Sequence, residues 1–125
     1  MPRFWITAPM HELSIAQCVI DLAVKNCTAN GHTAIEKITL SIGSASGVMP
    51  EALAFACEVI KKDTIAGNAA LCINTVPVSG VCSACKKEFA SYDRYFCMFN
   101  CPHCNSTAIS VTGGFELDMV DIEVE

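Results

Sequence analysis

The sequence predicts an α+β fold: a small three-stranded sheet with two helices, interrupted before the last strand by a cysteine-rich insert. Three observations predict it. Apolar residues recur at helical spacing in two segments. Apolar and polar residues alternate, or β-formers run together, in three others. Two Cys-x-x-Cys pairs stand between the second and third of those strands.

The first helix is expected over residues 12–29, where Leu13, Ala16, Ile20, Ala23, Val24 and Cys27 follow the helical period. Asn30-Gly31 stops it, because both residue types tolerate positive φ. A strand comes next within IEKITLSIG, with clean alternation from Ile38, and Gly43 to Gly47 reads as a loop. Pro50 suits the first turn of a second helix, and Glu51 there complements the helix dipole. Its stripe is Leu53, Ala54, Cys57, Ile60 and Lys61, with Phe55 and Val59 on an adjoining one and an end near Asp63. The run AALCINTV is the second strand, and Pro77 to Gly80 reads as a short linker. Thr112-Gly113-Gly114 is a turn. Phe115 to Glu125 is the closing strand, with Leu117, Met119, Ile122 and Val124 apolar and five of the last ten residues acidic.

Hydrophobic residues make up 52% of the 125 residues and charged residues 17%, a composition that folds. No apolar run reaches the roughly 20 residues of a membrane helix. The stretch Met1 to Pro9 has too short an apolar part for a signal peptide, and His11 and Glu12 break it off. The chain therefore reads as soluble and cytoplasmic. The net charge is −5, and the only dense basic clusters are Lys61-Lys62 and Lys86-Lys87. That argues against nucleic acid as a partner, since phosphate binding needs a basic face.

Nine cysteines, an odd count, favour reduced thiols and metal over disulfides in such a chain. The pattern is Cys82-Ser83-Ala84-Cys85, fifteen intervening residues, then Cys101-Pro102-His103-Cys104. Two residues between thiolates let both sulfurs of a tight turn face one ion, and two such turns close a tetrahedron around Zn(II). Four thiolates leave no open position for water, so the site is expected to be structural. His103 lies inside the second pair, where it is either a solvated loop residue or an alternative ligand. Cys97 falls off the template and reads as a spare thiol, while Cys18, Cys27, Cys57 and Cys72 read as small core residues. A single Cys-x-x-Cys could serve redox chemistry, but two at this separation favour zinc. No Ser/His/Asp order, phosphate loop or paired acid and base is present, so the chain does not read as an enzyme.

Met10-His11-Glu12-Leu13-Ser14 resembles the start of the HypA/HybF family of hydrogenase nickel-insertion accessory proteins. The likeness continues through Ser46-Gly47-Val48-Met49-Pro50-Glu51-Ala52-Leu53-Ala54-Phe55, the two cysteine pairs, Thr112 to Leu117 and Ile122-Glu123-Val124. It covers residues 10–125. The resemblance implies a nickel-binding α/β domain at 10–77 and 115–125, a zinc-ribbon-like domain at 78–114, and an N-terminal extension at 1–9. It implies delivery of Ni(II) to the [NiFe]-hydrogenase large subunit together with a nickel-binding GTPase (HypB), and urease maturation in some organisms.

The chemistry is consistent with the resemblance. In a chain beginning at Met10, the terminal amine, the His11 amide and the His11 imidazole converge, and the Glu12 amide or carboxylate adds a fourth donor. Nitrogen-rich tetragonal sites suit Ni(II), whereas thiolates select zinc. The sequence departs from the family in the nine residues before Met10, which in a chain starting at Met1 turn that amine into an amide. Asn74 stands where the family often carries an acidic residue. The competing expectation is a zinc-ribbon module for protein or nucleic-acid interaction without nickel transfer, against which the acidic balance weighs.

Overall fold

The computed structural model describes residues 8–125, with side chains from Glu12 onward except that of Arg94. Its elements in order are α1 (Ala8–Ala29), β1 (Ile35–Gly43), α2 (Pro50–Ile60), β2 (Ala70–Val76), β3 (Val78–Cys82), β4 (Glu88–Ser91), α3 (Arg94–Cys97), β5 (Ile109–Gly113) and β6 (Leu117–Val124). The described residues fall into two compact units, one of residues 8–40, 47–74 and 118–125, the other of residues 41–46 and 75–117. No helix among the described residues is long and apolar enough to cross a membrane.

In the first unit the sheet order is β2-β1-β6, so the closing strand pairs beside the first. Helix α1 buries one stripe, Glu12, Ala16, Ile20, Ala23 and Cys27. Leu13, expected on that stripe, is instead 49% exposed, because it lies one position round the helix from Glu12. The helix ends in a Schellman motif: Gly31, at φ 84°, donates to the Thr28 carbonyl and His32 to that of Cys27. His32 thus closes the turn that ends the helix. Strand β1 buries Ile38, Leu40 and Ile42 in strict alternation.

Helices α1 and α2 pack on each other. Pro50 is the first residue of α2, where its missing N–H costs nothing. Leu53, Ala56 and Cys57 are buried, while Phe55 and Val59 face solvent. Lys61, which the helical stripe had placed inward, is indeed buried. Its Nζ donates to the Ala69 carbonyl and pairs with Glu58 at 3.0 Å. A buried ammonium is tolerable only with such partners.

The second unit holds a three-stranded antiparallel sheet, β4-β3-β5. The expected linker from Pro77 to Gly80 is therefore a strand from Val78 onward. Gly80 suggested a break, yet the sheet requires glycine there: a Cβ would lie 2.3 Å from the Ser110 carbonyl oxygen and 2.7 Å from the Phe89 ring. Val78, Phe89 and Cys97 form the core of this sheet, with Ala45, Met98, Ile109 and Val111 packed against them. The same unit is drawn tight around Gly43, whose amide donates to Glu116, and Gly114, whose carbonyl accepts from Ala45. Side chains are excluded there too, since a Cβ on Gly43 would meet the Gly114 oxygen at 2.1 Å.

Candidate metal centre

Cys82 ends β3 and begins the first of two turns with the same hydrogen-bond plan. Its N–H donates to the Lys87 carbonyl and its carbonyl accepts from Lys86. In the second turn the Cys101 N–H donates to Ser106 and its carbonyl accepts from Asn105. Lys86 and Asn105, four residues after each leading cysteine, both take positive φ, at 65° and 64°. Each turn therefore reverses the chain so that backbone N–H groups point at the leading sulfur. The Cys85 N–H reaches the Cys82 Sγ at 3.5 Å, and the His103 N–H reaches the Cys101 Sγ at 3.3 Å.

The two turns bring their sulfurs together. Cys82, Cys85, Cys101 and Cys104 have all Sγ atoms within 4.8 Å of one another. Two sulfur contacts join the turns, Cys82 with Cys104 at 3.6 Å and Cys85 with Cys101 at 3.7 Å. A tetrahedron with metal–sulfur distances of about 2.3 Å has sulfur–sulfur edges of about 3.8 Å. The donor set and its spacing fit a tetrahedral thiophilic ion. All nine cysteines are free thiols.

Electrostatics favour thiolate at the leading positions. The Cys85 N–H, with further help from Ala84, outweighs burial and brings Cys82 down to about 7. Burial raises Cys101, but the N–H groups of Cys104 and His103 more than offset it, so this thiol also lies below its ordinary value. At Cys104 the Ser106 N–H lowers the pKa, yet burial and the three neighbouring sulfurs dominate and push it up to about 11. Four sulfurs this close cannot all carry negative charge alone, whereas a divalent cation among them favours all four thiolates.

His103 is exposed, its Nε2 lies 3.1 Å from the Glu88 carbonyl oxygen, and the four-residue ligand group does not include it. Cys97, read as a spare thiol beside the site, is fully buried in the apolar core. Cys18, read as a core residue, is exposed. Glu12 is buried, and its Oε2 accepts the Met49 N–H at 2.9 Å. The side chains of Met10 and His11 lie outside the described ones.

Residues 10–124 match the family described as "Hydrogenase/urease nickel incorporation, metallochaperone, hypA". The chain belongs to the HypA family. It is 39% identical to "Hydrogenase maturation factor HypA" of Geobacter metallireducens, over 93% of this chain and all of that one. It is 35% identical to the protein of the same name from Rhizobium leguminosarum bv. viciae, over 92% of this chain and 99% of that one. Its fold is similar to that of the nickel metallochaperone HypA of Helicobacter pylori in solution. The TM-score there is 0.60 at 23% identity, covering 90% of this chain and 96% of that one. HypA proteins are maturation factors and not enzymes, and the α+β fold with a four-cysteine ribbon agrees with that membership.

Proposed function

We propose that this HypA-family chain is a cytoplasmic nickel metallochaperone that delivers Ni(II) during maturation of [NiFe]-hydrogenase. The observation that carries the reading is the family match, which begins at Met10, immediately before the only His-Glu pair in the sequence. His11 holds the nickel, helped by the Glu12 backbone amide and, in a chain starting at Met10, by the terminal amine. Such a nitrogen-rich donor set suits Ni(II). Cys82, Cys85, Cys101 and Cys104 hold Zn(II). When bound, that ion crosslinks the two turns, and its closed thiolate shell leaves no position for substrate water. A HypB-type GTPase and the hydrogenase large subunit are the partners, with urease maturation proteins in organisms that make urease. Nucleic acid and membrane are not among them, in keeping with the charge of −5.

The test is calorimetric titration of Ni(II) into zinc-loaded protein, with and without the residues before Met10. One nickel per protomer is expected for the chain starting at Met10, and His11→Ala should abolish it. Equal nickel affinity in the variant would remove His11 from the site. Nickel held by an imidazole is released on acidification, because protons compete for the ligand. Affinity should therefore fall between about pH 7.5 and 6, around the ordinary histidine pKa of about 6.5.

A further inference from the structure

Glu12 sits where a surface metal ligand would not. It shares the inward stripe of α1 with Ala16 and Ile20, and only 3% of it is exposed. A carboxylate so placed is costly unless its oxygens accept hydrogen bonds. The donor is the backbone N–H of Met49, the N-cap of α2. The Met49 side chain makes no cap hydrogen bond of its own. In a capping box a glutamate three residues into the helix reaches back to this N–H. The residue at that position of α2 is Ala52, which has no acceptor. Glu12, 37 residues earlier in the chain, takes its place and sets a negative charge against the positive end of α2.

We infer that Glu12 is a positioning residue whose carboxylate fastens the His11-bearing turn of α1 to the N-terminus of α2. It remains there when nickel binds and gives the metal no carboxylate oxygen. The metal-bound half of this statement rests on the nickel reading above; the fastening itself does not.

Glu12→Gln separates the roles, because its amide oxygen still accepts from Met49 but is a poor nickel donor. Glu12→Ala removes both functions. Amide exchange at Met49 is followed by NMR in the zinc-loaded full chain, with and without saturating Ni(II), beside a nickel titration. Met49 should stay protected in the parent and in Glu12→Gln, and should exchange about tenfold faster in Glu12→Ala, as loss of a cap implies. Nickel affinity in Glu12→Gln should stay within about threefold of the parent. Unchanged Met49 exchange in Glu12→Ala would overturn the fastening. Loss of nickel binding in Glu12→Gln, or loss of Met49 protection when Ni(II) is added to the parent, would make the carboxylate a ligand and overturn the proposal. If the parent shows no nickel binding that His11→Ala reduces, the nickel reading fails, and the Met49 comparison still decides the fastening.

Discussion

Cys57 is fully buried on α2, and that burial, reinforced by the nearby Glu58 carboxylate, pushes its thiol from 9.0 up to about 11. The folded state thus prefers the neutral thiol. The stability this contributes is complete below pH 9.0 and is lost as the pH rises through about 11. Thermal melts above pH 9.0 should fall more steeply for the parent than for Cys57→Ala, which has nothing to titrate there. A second expectation concerns access. Brief alkylation of the native zinc-loaded chain should label Cys18, which is exposed, and spare Cys27, Cys57 and Cys97, which are buried. Mass spectrometry before and after unfolding reads this directly. The sequence reads Cys18 as a core residue and Cys97 as a spare thiol, and only the tertiary fold shows a solvent-facing Cys18 and a core Cys97.

Among the elements, those with a strong period were legible and those fixed by distant contacts were not. The α1 stripe and the alternation of β1 follow from local spacing, as does the inward Lys61, whose position on the helical stripe outweighed its charge. The strands of the insert were missed because they are short and rich in glycine and serine. Their order comes from cross-strand pairing, such as Gly80 with Phe89 and Val111. The signal that could have found β3 was the glycine itself, since an isolated glycine within a strand marks close backbone approach. Gly80→Ala should therefore destabilise the insert by about 1–3 kcal/mol, as overpacking does, visible as a lowered melting temperature of the zinc-loaded chain. Within the first unit, Leu53 on α2 is fully buried. Leu53→Ala should cost about 2–5 kcal/mol in denaturant unfolding, through lost burial and the cavity left behind.

At the scale of the molecule, the four-sulfur cluster was the most legible feature, because its geometry is encoded in the spacing of two short turns. The role of Glu12 was the least legible, because its partner lies at the start of another helix. The core of the second unit is small, so metal binding should supply much of its folding energy. Removing zinc with a chelator should abolish the ordered amide signals of β3, β4 and β5 while leaving those of α1 and α2, as read by two-dimensional NMR. Acid should act in the same direction, since protons compete for the thiolates. The shared plan of the two turns also bears on how the site is completed. Each turn offers only two sulfurs, and sulfur contacts of 3.6 and 3.7 Å run from one turn to the other. Cys82 and Cys85 precede Cys101 and Cys104 in the chain, so a polypeptide that ends between the pairs carries only half a cage. A chain truncated between the pairs should therefore hold zinc weakly and the full chain tightly, so the site is gained in one step when the second turn is added.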